Sequence, residues 1–475
     1  MNTRMKRLIC IPGALLAGLL LAAVIIEHAF DINSYKPRIE TALSDATGME
    51  AHINGPMKLA LFPRAGASVE KISLQRKGRD VATLRKAEVA VRLLPLLRKE
   101  VLIQWVGLTG PEIFITKDRK GRFNFEGPGE KAAAGESPLP VFEVGKISVK
   151  DGHLLYQDEK SGEKVEANGC DLTIKDLSAS GKRLMDTLSL SGTVSCREVK
   201  AKGFRVTDTK VALKAGGGTI QASPLKMKIS GGEVKGALKG NMLNKSPEYS
   251  ADLSIAGFRM EEAPGQAKNI RGAMDLKAHL TAQGRNSDEL SKTARGEVSL
   301  RGQDLVLLNI DIDRVLEKYE KSQSINIVDV GAFVLAGPLS TVVTKGYDLG
   351  GLYKASVGGE TTIQRLVSDW KIAKGIARAE DVAFTTKKNR MALKGSLDLA
   401  HERFEDVTVA VLNAKGCAVF SQKITGAFRN PRMDKPGMLK SLLNPFISLA
   451  EKPIDLLSGG SCEVFYKGSL PHPAK

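Results

Sequence analysis

From about residue 50 onward the chain alternates apolar and polar residues in short runs. Gly, Asn-Gly, Asp-Gly or Pro closes each run within ~8–12 residues. Met57, Leu59 and Leu61 alternate with Lys58 and Ala60, and Tyr249, Ala251, Leu253 and Ile255 with Ser250, Asp252, Ser254 and Ala256. Met274, Leu276, Ala278 and Leu280 repeat the pattern, as do Val407, Val409 and Val411. A period of two with polar partners predicts strands with one apolar face and one wet face. Pro95–Ile115 (PLLRKEVLIQWVGLTGPEIFI) is strand-like too, but carries more apolar side chains than one half-buried strand needs. No helix-sized segment separates successive strands, so the pattern predicts a mainly β protein without βαβ units.

Helical patterns are few. Tyr35–Ala46 is one, with Asn33 or Ser34 as its cap. Ser287–Ala294 is another, and Asp311–Lys321 opens on acidic residues and closes on Lys318 and Lys321. Met438–Leu457 is strongly apolar and broken at Pro445 and Pro453, the pattern of a cap or plug. Gly127–Pro140 is small, polar and without periodicity, which predicts a flexible linker. The expected order is a tail at 1–7, a membrane segment at 8–28, an entry helix with a first β module at 30–126, and the linker at 127–140. Central strands at 141–285 and a C-terminal module at 286–475 follow.

Leu8–Ile26 contains no charged residue. As a helix it spans ~28 Å, close to the hydrocarbon thickness of a bilayer. Leu8, Ile11, Leu15, Leu19, Val24 and Ile26 are its apolar body. Arg4, Lys6 and Arg7 precede it and Glu27 and Asp31 follow, which predicts a cytoplasmic N-terminus and a single pass. The competing reading is a cleaved signal peptide, but the exit EHAFD lacks the small-x-small pattern of a cleavage site.

Net charge alters the picture little. The 70 Lys and Arg against 53 Asp and Glu give +17. They are spread along the chain, without a basic block interleaved with aromatics, so no nucleic-acid partner is expected. A solvated basic surface or affinity for anionic head groups remains. The six histidines show no metal-ligand spacing, and CxxC, HExxH, GxSxG and Walker A sequences are absent. Catalytic, cofactor and metal residues are therefore expected to be none. Outside Cys10 there are four cysteines. Gly416–Phe420 and Ser461–Phe465 share a C-x-V-F pattern, so Cys417 and Cys462 are expected to pair. Cys170 and Cys196 form a second candidate pair, and free buried thiols are the alternative.

Several stretches carry a resemblance. They are Ile39–Gly48 (IETALSDATG), Ile53–Leu61 followed by Pro63, Ala87–Leu97 (AEVAVRLLPLL), Ile103–Ile115 with its Gly110-Pro111-Glu112-Ile113, and Gly121–Phe125 (GRFNF). Ser368–Gly375, Asp381–Thr385, Leu393–Leu399 and Ile424–Pro431 follow near the other end. In this order, behind an apolar anchor, the chain resembles the AsmA family, envelope proteins of the bacterial inner membrane. Val328–Lys345 has no place in that pattern.

The resemblance implies a curved antiparallel sheet forming an open apolar trough that binds and conducts phospholipid or related acyl chains. Such a protein sits in the inner membrane with its bulk in the periplasm and contributes to outer-membrane biogenesis. Candidates for the lining are Met57, Leu59, Leu61, Leu102, Val106, Leu108, Leu253, Ile255, Leu276, Leu280, Val407, Val409 and Val411. Alternation by itself fits a closed sandwich equally well. A scaffold or regulator of envelope assembly, acting through a protein partner, is the other functional reading.

Overall fold

The computed structural model describes residues 31–60, 65–92, 102–126, 139–181, 184–264, 269–322, 358–428, 430–434, 437–438 and 462–473. The anchor segment Leu8–Ile26, Leu61, the stretch Val328–Lys345 and all of Met438–Leu457 after Met438 lie outside them. Among the described residues no helix is long and apolar enough to cross a membrane. The chain divides into two units, Met1–Met227 and Lys228–Lys475.

The first unit is a sheet of long strands: β1 (Glu50–Ile53), β2 (Met57–Ala60), β3 (Gly66–Arg76), β4 (Arg79–Val91), β5 (Ile103–Lys117), β6 (Leu139–Asp158), β7 (Lys164–Gly181), β8 (Ser189–Ala201), β9 (Phe204–Gly216) and β10 (Thr219–Ile229). Both β1 and β2 pair antiparallel with β3, and from there to β10 each strand pairs with the next in sequence. One step departs from the expected antiparallel sheet. Strands β5 and β6 run parallel, from Ile103 opposite Val144 to Lys117 opposite Asp158. A parallel neighbour needs a return segment as long as the strand. Most of the predicted linker lies outside the described residues, and Leu139 and Pro140 already belong to β6.

Helix α1 (Lys36–Thr47) is held at the open side of β1. The Glu40 carboxylate accepts from the Ile53 N–H at 2.6 Å, and Ser44 Oγ accepts from the Ala51 N–H at 3.0 Å. It ends at Gly48, left-handed at φ 65°, whose N–H donates to the Ser44 carbonyl. The expected Asn33 or Ser34 cap is replaced. A 3-10 turn, Ile32–Tyr35, precedes α1, and Asp31 caps it by accepting from the Asn33 N–H. Asn33 Oδ1 instead accepts from the Met57 N–H at 3.0 Å, tying this turn to β2. A single turn, α2 (Leu184–Thr187), lies between β7 and β8.

The second unit is an antiparallel run: β11 (Gly232–Asn241), β12 (Glu248–Arg259), β13 (Ile270–Arg271), β14 (Ala273–Gln283), β15 (Arg295–Leu308), β16 (Glu360–Ala373), β17 (Ile376–Thr385), β18 (Arg390–Asp398), β19 (Arg403–Leu412), β20 (Ala418–Ala427), β21 (Asn430–Met433) and β22 (Gly437–Met438). Helix α3 (Ser287–Thr293) carries a capping box. Asn286 accepts from the Glu289 N–H, while the Glu289 carboxylate accepts from the Arg285 N–H. Helix α4 (Ile312–Ser322) is docked by polar ties. Thr361 Oγ1 accepts from the Ile312 N–H, and Thr386 and Asn389 donate to the Asp313 carboxylate.

The closed core sits here. Leu305, Ile363, Phe384 and Met391 are 0% exposed and Trp370 2%, and α4 adds Ile312, Val315 and Leu316 to the same cluster. Val407, Val409 and Val411, expected on an open lining, are packed into this core instead. Strands β16 to β20 turn their apolar face into this cluster, so the alternation that marks a lining residue marks a core residue here. On the opposite face Val367, Ala383, Ala392 and Ala410 form a cross-strand row. The tail covers it with Tyr466 and Leu470. Small side chains in that row leave space for the Tyr466 ring. The Tyr466 hydroxyl donates to Asp381, Arg390 donates to the Leu470 carbonyl at 2.8 Å, and Cys462 is bonded to Cys417.

The Cys417–Cys462 bridge closes a span of 45 residues, so its loss is expected to destabilise the second unit by about 4 kcal/mol on the loop-entropy model. In a urea titration the Cys417→Ser/Cys462→Ser variant should unfold at lower denaturant. Its residues 462–473 should also become sensitive to protease before the strands do.

Candidate functional site

The registers of the first unit align apolar residues in rows that cross the sheet. Met57, Val69, Ala87, Leu108, Val149, Leu172, Val194 and Val211 are successive cross-strand partners from β2 to β9. A second row, from Leu59 through Val89, Val106 and Ile147 to Leu213, lies two residues along on the same face. The other face of the same strands carries Ser68, Glu88, Gly107, Ser148, Thr173 and Thr193 in one row. A further row there runs Lys146, Lys175, Ser191 and Lys214. Eight strands at ~4.8 Å spacing make the apolar face ~34 Å wide.

That face is not closed as the second unit is. Most of its side chains are half-buried, and Val89 and Ile113 are 38% and 39% exposed. Both core clusters lie in the second unit, and the buried residues of the first are mainly alanines and glycines. Among the described residues no second layer closes this aliphatic surface, which makes it the candidate site.

The strands are long, and a single period of two does not persist along them. On one level of the sheet Lys71, Gly110, Asp151, Gly169 and Asp208 all have positive φ, between 52° and 60°. Across this level the apolar positions slip by one residue. Leu108, Val149 and Leu172 lie on one side of it, and Ile113, Leu154 and Ala167 on the other. The face stays the same. A methyl group on Gly152 would sit 3.6 Å from Pro111 Cγ and 3.7 Å from Val149 Cγ1, residues from both sides of the kink. The kink also stacks charge on the wet side. Arg85 lies over Gly110 and bonds Asp151, while Arg197 lies over Gly169 with Nη2 3.9 Å from the same carboxylate. These side chains are more than half exposed, so their ion pairs add little stability.

Both expected disulfides form. Cys170 and Cys196 are direct partners on β7 and β8, with Cα atoms 4.0 Å apart. They stand two residues from Leu172 and Val194, so this staple lies in the apolar face itself, with Gly152 opposite Cys170. That placement was readable from the alternation.

Of the expected lining, Met57, Leu59, Val106 and Leu108 are brought together on this face. Met57 is closed off at 3% exposure near its β2 end, and Leu102 stands 37% exposed just before β5. Leu253, Ile255, Leu276 and Leu280 share a face of the second unit that is half-buried on β12 and β14. Their rows run on through Val298 and Leu300 of β15 and Trp370 of β16, where the face is fully closed. Sequence reading missed Val149, Leu172, Val194 and Val211, although the alternation around each was visible. Among the described residues no cluster of three or more His, Cys, Asp or Glu is arranged to hold a metal ion.

The AsmA family model matches residues 5–193 and 181–382. This chain belongs to the AsmA family. The match spans the strands that build the apolar rows and reaches β17 of the second unit. No curated protein matches the sequence. In this AsmA-family chain the Gly110-Pro111 element of the resemblance lies on the kink level.

Gly110 needs its lack of a side chain twice over. Its φ is +60°, and a methyl group would collide with the Arg85 side chain. Gly78 shares the left-handed backbone, at φ 70°, but has open space around it. Gly78→Ala is expected to cost about 1 kcal/mol and Gly110→Ala about 2 kcal/mol or more, compared by chemical denaturation.

Proposed function

We propose that this protein binds and conducts lipid, with acyl chains lying against the apolar face of the first unit. The observation that supports it is the pair of aliphatic rows crossing eight strands while remaining half-exposed. Burying that surface against hydrocarbon stabilises both partners by ~25 cal/mol per Å² of apolar area. Valine, leucine, isoleucine and alanine make a smooth lining with few polar atoms, suited to fluid chains. The opposite face, rich in Ser, Thr and Lys, stays in water.

In this reading Leu8–Ile26 anchors the chain in the inner membrane and the strands lie in the periplasm, where two disulfides persist. Membership of the AsmA family supports a role in the envelope, and we place this one in outer-membrane biogenesis, without enzymatic chemistry. Scaffolding by the same face through a protein partner is the reading that the following test opposes.

The full chain, purified in detergent, should carry phospholipid detectable by native mass spectrometry and by extraction. A matched pair of variants assigns it to the face. Leu172→Asp/Val194→Asp places two carboxylates on the apolar side of β7 and β8, while Thr173→Asp/Thr193→Asp places them on the wet side of the same strands. A desolvated carboxylate is strongly unfavourable against hydrocarbon, so the first variant should retain less than about a fifth of the lipid and the second nearly all. A lipid-free wild type, or equal loss in both variants, would reject lipid binding on this face.

A further inference from the structure

The apolar face ends at one edge in a row formed by Ile115, Tyr156, Val165, Ala201 and Phe204. Just beyond that row the chain turns, at Arg76–Asp80, Lys117–Arg122, Asp158–Lys164 and Lys200–Arg205. The registers place all four segments on the same edge: Arg76 faces Arg79, Lys117 faces Asp158, and Val165 faces Ala201. Together they hold twelve Lys or Arg against five Asp or Glu.

Four of the five acidic residues of this edge are already engaged, Asp80 by accepting from the Gln75 side chain at 2.9 Å. Asp118 accepts from the backbone N–H groups of Lys120 and Arg122 and pairs with the Arg122 guanidinium. Asp158 accepts from the Lys160 and Ser161 N–H groups and lies 3.6 Å from Lys117 Nζ. Glu163 faces Lys202 at 3.5 Å. These backbone donors, aided by the neighbouring cations, hold Asp118 and Asp158 below the usual carboxylate range. The carboxylates thus shape the turns. By contrast Lys77, Arg79, Arg119, Lys120 and Lys160 are exposed, and their side chains have no ion-pair partner among the described residues.

We propose that this edge is a head-group rail, and that the lipid carried on the apolar face has a net negative phosphate head group. The inference rests on the lipid-binding reading above. A chain lying on the face with its ester end toward Ile115 and Phe204 places its phosphate among the five unpaired cations. Lys and Arg bind phosphate oxygens by charge-assisted hydrogen bonds. A zwitterionic head group brings its own ammonium to the same cations, which offsets part of the phosphate's attraction, whereas diacylglycerol has no charge to gain or lose there.

The test uses the full chain, freed of bound lipid and offered an equimolar mixture of palmitoyl-oleoyl phosphatidylglycerol, phosphatidylethanolamine and diacylglycerol. Uptake is read by native mass spectrometry. The wild type should take phosphatidylglycerol over phosphatidylethanolamine by about fivefold at low salt, and the preference should fade near 0.5 M salt as the charges are screened. Lys77→Gln/Arg79→Gln/Arg119→Gln/Lys120→Gln/Lys160→Gln should abolish the preference and leave diacylglycerol uptake unchanged, which also reports that the face is intact. If diacylglycerol uptake falls too, the smaller variant Arg119→Gln/Lys120→Gln decides by the same comparison, with at least a twofold drop in preference expected. Lipid uptake without head-group preference in the wild type, or a preference that survives neutralisation, overturns the rail and leaves lipid binding standing. Uptake of none of the three lipids overturns both.

Discussion

A β-strand sends successive side chains to opposite faces, and whatever lies on one face must be removed from water together. Here that rule is applied over eight consecutive strands whose registers never shuffle the apolar residues out of line. The result is one aliphatic face and one face of Ser, Thr, Glu and Lys. Everything else about the first unit follows from keeping that division intact over strands of up to 20 residues.

The line of left-handed residues is the device that keeps it. Five strands, β3, β5, β6, β7 and β9, take a left-handed residue at the same level, and the sequence slips by one position there so that apolar side chains reappear on the same side. A glycine or a short Asp serves best at such a point, since each tolerates positive φ. Gly110, Asp151, Gly169 and Asp208 meet that requirement, while Lys71 adopts the same backbone without it. The Arg85–Asp151–Arg197 group is a by-product of the bend on the wet side, exposed and of little weight in stability.

The two units use the same alternation for opposite ends. In the second unit one face of β16 to β20 is packed into a core that α4 joins and the tail lies on the other, and large side chains such as Phe384, Phe428 and Trp370 vanish from solvent. In the first unit the described residues supply no such cover, and the buried positions are mostly alanines and glycines. The tail in the second unit is held by a disulfide, a tyrosine–carboxylate bond and a buried arginine. A surface meant to stay covered is tied down several times over, and among the described residues no segment is tied over the face across β2 to β9.

Much of this was legible in the amino-acid order. The strand rhythm, α1, α3 and α4, both cysteine pairs and the family were readable because each depends on residues close in sequence or on a local pattern. Leu108 and Val106 could be assigned to an apolar face for the same reason. What alternation does not carry is whether that face has a partner. Val409 and Val106 sit in equally regular runs, yet one is wholly buried in the second unit's core and the other is half-exposed. The parallel step from β5 to β6 was equally hidden, since alternation within a strand says nothing of its direction relative to its neighbour. Which strands neighbour one another, and what lies over them, is settled by chain segments far apart in sequence, and only the folded arrangement decides it.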